Sequence, residues 1–121
     1  MSAPQTPWPT DIRIKTAERA LEIDFENGDR FRLPAELLRV ESPSAEVQGH
    51  GAANKPPPVA GKREVTIVDA QAVGNYAVRL VFSDGHATGL FSFELLHRMG
   101  RTQDTLWAEY LARLENHGLS R

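Results

Sequence analysis

Apolar and polar side chains alternate along residues 76–82 (YAVRLVF). Tyr76, Val78, Leu80 and Phe82 face one way and Arg79 faces the other. A period of two is what a half-buried strand requires. Ser83-Asp84-Gly85-His86 follows, and an Asp-Gly pair between apolar runs is a strong hairpin signal because glycine tolerates positive φ. The pattern predicts a returning strand over 87–91, then a short helix capped by Ser92 with Glu94 near its positive end. Upstream, the same reasoning predicts strands over 12–15, 20–25 and 30–33, with a turn at Asn27-Gly28 and a short helix opened by Pro34. A fourth strand is expected over 64–68 (EVTIV), followed by a connection over 69–75. Leu106, Trp107, Tyr110, Leu111 and Leu114 recur at helical spacing and predict a helix over 101–117, capped by Thr102 or Asp104 and stopped at His117-Gly118. Its apolar stripe is expected to cover the sheet.

The pattern occurs twice. LEIDFENGDRFRLPAELLR (21–39) matches VRLVFSDGHATGLFSFELLHR (78–98): Leu21, Ile23 and Phe25 fall on Val78, Leu80 and Phe82, and Asn27-Gly28-Asp29 on Asp84-Gly85-His86. Leu33 is aligned with Leu90, and Glu36-Leu37-Leu38 with Glu94-Leu95-Leu96 after one inserted residue. Alternation is common to all hairpins; the shared Phe-x-x-Gly and Glu-Leu-Leu are more particular. The fold class predicted is α+β: two antiparallel hairpin or meander units related by an internal pseudo-repeat, with short helices and a C-terminal helix on the sheet.

Between the units the regularity fails. Residues 48–62 hold Gly49-His50-Gly51 and Pro56-Pro57-Pro58, which read as a surface loop, since three prolines cannot supply ladder hydrogen bonds. Residues 1–11 read as a flexible arm with Trp8 able to anchor its end, 12–117 as a single domain, and 118–121 as a tail.

Composition narrows the function classes. With 121 residues the chain is one domain with room for a core. A formal net charge of −2 gives no footprint for nucleic acid. No apolar run reaches membrane-spanning length, and the N-terminus has no signal-peptide pattern, so the cytoplasm is the expected compartment. Cysteine is absent, which excludes disulfides, thiolate ligands and cysteine nucleophiles. There is no Gly-x-Ser-x-Gly elbow and no phosphate loop. Arg13, Lys15, Arg30 and Arg32 alternate along the first strands, where Glu22, Asp24 and Asp29 can pair with them as a solvated face. His97 is expected to be solvated or capping, and His117 to meet the helix C-terminal end.

Val73-Gly74-Asn75-Tyr76-Ala77, followed by Phe82-x-Asp84-Gly85-His86-x-Thr88-Gly89, resembles the gamma-butyrobetaine hydroxylase-like N-terminal domain family. Leu21-x-Ile23-x-Phe25-x-x-Gly28 and Leu37-Leu38-Arg39 fit the same pattern, and the resemblance runs over 12–99. It implies a small module found alone, before a 2-oxoglutarate oxygenase domain, or attached to iron–sulfur carrier ATPases. In metal-binding members three cysteines and the histidine of Asp-Gly-His hold zinc, a closed tetrahedral arrangement. The matching positions here are Ser42, Ser44 and Val47, with His86 retained. The resemblance therefore implies a degenerate zinc site and no cofactor. It also implies no oxygenase catalytic domain in this chain and no catalysis.

His86 is the one candidate site residue. In one reading it is a turn histidine bonded to the Ser42–Ser44 loop. In the other it holds a metal with His50, Glu41 or Glu46, since imidazole and carboxylate suit zinc, iron or manganese. The function expected is a non-catalytic accessory or protein-interaction domain, linked to iron–sulfur or oxygenase metabolism, whose partner is another protein. The alternative is a metal-binding protein using His86.

Overall fold

Two strand–turn–strand units follow one another, each ending in a helix. In the computed structural model, which describes residues 7–43, 59–87 and 89–121, the first unit is β1 (Pro9–Lys15), β2 (Ala20–Phe25), β3 (Arg30–Pro34) and α1 (Ala35–Val40). The second is β4 (Ile67–Val73), β5 (Ala77–Phe82), β6 (Leu90–Ser92) and α2 (Phe93–Asn116). Each unit forms a three-stranded antiparallel sheet, in the orders β1-β2-β3 and β4-β5-β6, so the fold is α+β. The inward positions of both central strands share one interior: Leu21, Ile23 and Phe25 from β2 meet Val78, Leu80 and Phe82 from β5, closed by Leu37, Leu38, Leu96 and Met99 from the helices. Burying each such side chain contributes about 1.5–3 kcal/mol. Among the described residues no helix is long and apolar enough to cross a membrane.

The two units repeat each other bond for bond. Phe25 N–H donates to Asp29 O at 2.8 Å, as Phe82 N–H does to His86 O at 2.9 Å. Asp29 N–H bonds the Asn27 side chain at 3.0 Å, as His86 N–H bonds Asp84 at 3.1 Å. Gly28 and Gly85 take φ of 95° and 91° in these turns. Trp8 and Glu26 exchange backbone and side-chain bonds as Thr66 and Ser83 do. β1 and β4 carry a register shift at the same place, between Pro9 and Asp11 and between Ile67 and Asp69. Register corrects one detail of the alignment. Leu33 lies opposite Leu21 and Phe91 opposite Val78, so Leu33 matches Phe91, not Leu90. The inserted residue therefore lies before β6.

The helices cross over. Pro34 and Ser92 cap α1 and α2, so Arg39 of α1 is the counterpart of His97 of α2. Arg39 reaches Asp84 in the second unit's turn at 2.8 Å, and His97 Nε2 lies 2.7 Å from Asp29 Oδ2 in the first unit's turn. Gly100 lies so near Phe31 of β3 that a Cβ there would overlap the ring; Gly89 lies equally near Ser42. These two pairs are also counterparts. Each helix thus docks on the other unit's hairpin end.

Several expectations change. The fourth strand spans Ile67–Val73 rather than 64–68: its burial runs one buried residue in seven, so an edge strand of mostly exposed side chains carried no apolar signal. β5 begins at Ala77, and Tyr76 is 56% exposed instead of facing inward. β6 is Leu90–Ser92, shorter and later than 87–91. β1 starts at Pro9, inside the expected arm. The two predicted second-half helices are present and meet at a kink at Thr102 (φ −120°, ψ 16°), where the second was expected to start; the Thr102 hydroxyl bonds back to Arg98 O at 2.8 Å rather than capping. Ser92 caps as predicted, accepting from Leu95 N–H at 3.0 Å. His117 Nδ1 meets Arg113 O at 2.8 Å, and Gly118 has φ of 65° at the helix stop. The basic strand positions pair as a solvated face, Arg13 with Glu22 and Asp24, and Arg32 with Glu18 and Glu22. The Pro-rich stretch over 56–58 and residues 1–6 lie outside the described residues.

Valine at Gly85 is expected to cost about 1–3 kcal/mol, because open space surrounds the position and the whole penalty comes from its positive φ. Thermal unfolding of Gly85→Val measures it, and an unchanged melting temperature contradicts the turn.

Candidate functional site

His86 projects from the β5–β6 turn beside the segment that leaves α1. Its Nε2 lies 3.0 Å from Ser42 Oγ, and its ring leans on Phe82 at a centroid distance of 6.1 Å. Glycine at position 89 is what lets the Ser42–Pro43 backbone come this close. Below the histidine, Asp84 receives Arg39 at 2.8 Å and Lys62 at 2.6 Å. The turn is therefore clamped by α1 on one side and by residue 62 on the other.

Burial raises the Asp84 pKa, but hydrogen bonds from Lys62, the His86 N–H and Arg39 outweigh it and hold the carboxyl well below the usual range. A carboxylate depressed in the folded state adds stability above its unfolded pKa of about 3.9, and that stability is lost as pH falls below this value. Acid unfolding of Asp84→Asn is expected to be less steep below about pH 4 than that of the natural chain. Identical acid profiles would show that the clamp adds nothing.

The geometry brings together His86 and Ser42. Ser44, Val47, His50 and Glu46 lie outside the described residues. Glu41 does not join His86; it pairs with Arg113 of α2 at 3.1 Å. A zinc site of the family's kind does not fit this chain. It has no thiolate, Ser42 meets the imidazole as a neutral hydroxyl, and among the described residues no three His, Asp or Glu side chains converge.

A second polar centre escaped the sequence reading. Glu36, 5% exposed, is buried beneath α2. The Tyr110 hydroxyl donates to its Oε2 at 2.8 Å, and the Arg121 guanidinium spans both oxygens, at 2.9 Å from Nη2 and 3.1 Å from Nε. Arg121 also sits 4.9 Å over the Trp107 ring. Burial, then the bond to Glu36, pushes the Tyr110 phenol above its ordinary range. Glu36 has the same place in its unit as exposed Glu94, so the matched Glu-Leu-Leu hid the difference. His97 also proved partnered rather than solvated: it contacts Phe25 and Phe31 edge-on, and its bond holds the Asp29 carboxyl below its usual range.

Three comparisons bear on kinship. Two solution NMR structures match at 43% and 50% identity, with TM-scores of 0.83 and 0.82, covering 97% and 100% of this chain and 91% of each of theirs. A crystal structure of a protein of unknown function in the DUF971 family, from Acidithiobacillus ferrooxidans ATCC 23270, matches at 41% identity and TM-score 0.65, covering 82% of this chain and 98% of that one. No curated protein matches. The family model described as gamma-butyrobetaine hydroxylase-like, N-terminal, matches residues 12–97, taking in both hairpin turns and His86. The chain belongs to the gamma-butyrobetaine hydroxylase-like N-terminal domain family.

Proposed function

We propose that this chain is a non-catalytic accessory module that binds another protein, in cytoplasmic metabolism linked to iron–sulfur or oxygenase enzymes. The observation that carries the reading is a shallow, open depression of about 440 Å³ lined by Leu111 and Leu119, which are 38% and 40% exposed, together with Arg63 and Arg121. Apolar anchors ringed by charge are what protein-binding surfaces use. The polar groups at the His86 junction, in contrast, serve to hold α1 against the second turn.

Capture of partners from native lysate, run beside Leu111→Glu and Leu119→Glu, tests the reading. A protein retained by the natural chain and lost with both variants supports it. Turnover by the isolated chain that His86→Ala abolished would overturn it. The rival reading is a metal held by His86 with oxygen ligands or a second histidine, favoured by the nearness of the Ser42 hydroxyl. Elemental analysis of untagged protein separates the two: a stoichiometric metal, lost in His86→Ala, selects the rival.

A further inference from the structure

Glu36 together with Trp107 and Tyr110 has the make-up of a seat for a planar cation. The carboxylate is buried, so leaving it without a counter-charge is costly. Its two oxygens are met by a forked donor, and an aromatic ring lies under the fork at 4.9 Å. That combination selects guanidinium over ammonium, because the fork satisfies both oxygens while its face stacks on indole. The Tyr110 hydroxyl completes the seat at 2.8 Å from Glu36.

The segment that carries the present occupant is lightly tied, although the Arg121 side chain itself bonds Glu36 and stacks on Trp107. Arg121 lies past the helix stop, and every residue from 115 to 121 is exposed. Beyond the helix-stop bonds of His117 and Gly118, the backbone of this segment is tied by Gly61 N–H to Ser120 O at 3.1 Å and Leu119 N–H to Leu114 O at 2.8 Å. Segments with few buried contacts open at low free energy. Two open depressions adjoin the seat's members: the one at Leu111 and Leu119, which Arg121 also lines, and a second of about 290 Å³ along Pro34, Leu37 and Trp107.

We propose that Glu36, Trp107 and Tyr110 form an arginine-binding site that Arg121 fills within the chain and that an arginine of a partner polypeptide takes over when the Arg121 side chain lets go of it. The inference rests on the interaction reading and gives its partner a chemistry: an arginine flanked by apolar residues. Arg121 then acts as a competitor built into the molecule, setting how strongly the partner must bind.

The test is chemical replacement in the full chain. Arg121→Ala is titrated with N-acetyl-arginine amide while the Trp107 indole N–H is followed by NMR. Saturable shifts and a rise in melting temperature are expected. The neutral isostere N-acetyl-citrulline amide should give neither, and Glu36→Gln added to Arg121→Ala should abolish both. The natural chain should need at least about tenfold more probe, since Arg121 competes at high effective concentration. A folded Arg121→Ala chain with no saturable shift, or an equal response to citrulline, overturns the proposal. Should Arg121→Ala lose its dispersed spectrum, recovery of dispersion with the arginine probe supports the site and failure to recover overturns it. If the probe fails while the Leu111 and Leu119 variants still lose the captured protein, the arginine seat falls and the interaction reading stands.

Discussion

Alanine at Gly100 will destabilise the protein by about 1–3 kcal/mol, the usual cost of overpacking. Helix propensity argues the other way, since alanine is favoured over glycine within a helix by about 1 kcal/mol. Packing wins because an added Cβ would overlap Cγ, Cδ1 and Cδ2 of Phe31, a ring already held between Phe25 and His97. The sign should therefore depend on Phe31. In a Phe31→Ala background the overlap disappears, and Gly100→Ala becomes neutral or stabilising. Urea unfolding of the four chains gives the coupling directly. Additive effects would mean that α2 does not bear on β3 as described.

Phe82→Ala should cost more, about 3–5 kcal/mol, the range for emptying a buried aromatic site. Phe82 is 1% exposed, packs on Phe91 at 6.4 Å, and is the residue against which the His86 ring rests. Its loss should loosen both the shared interior and the turn, so the Ser42–His86 contact should weaken with it. Phe25→Ala removes the counterpart in the first unit, 3% exposed, and should cost a similar amount. A loss under about 1 kcal/mol at either position would contradict its place in the core. Denaturant midpoints at constant m-value decide both.

Where one face of a strand is buried, the sequence was readable. β2 has the predicted bounds, 20–25, and β5 differs by one residue. Asn-Gly and Asp-Gly placed both turns because glycine alone takes their φ cheaply. β4 was misplaced for the opposite reason. Residues 69–73 (DAQAV) gain their ladder bonds from β5 while exposing most of their side chains, so nothing in their hydropathy reports the pairing. The helix boundary at Thr102 was legible as a break, but not the role of its hydroxyl, which bonds back to Arg98 O instead of capping the helix that follows.

Of the candidate site, the His86–Ser42 contact was legible through the family pattern, and the structure adds why it forms: residue 89 has no side chain to keep Ser42 away. The Glu36 centre was not legible. Its two hydrogen-bond partners stand 74 and 85 positions further along, and a carboxylate in a short amphipathic helix looks like any solvated one until α2 covers it.

The exchange of helices between the two hairpin ends has an architectural corollary. A lone copy of this strand–turn–strand–helix unit would be unfinished, its turn bare and its helix without a footing. Two identical copies standing face to face would complete one another through equal and opposite contacts, as in a two-fold symmetric dimer. This protein carries that bargain within a single polypeptide, which is why Arg39 and His97 differ in chemistry yet do the same job at opposite ends.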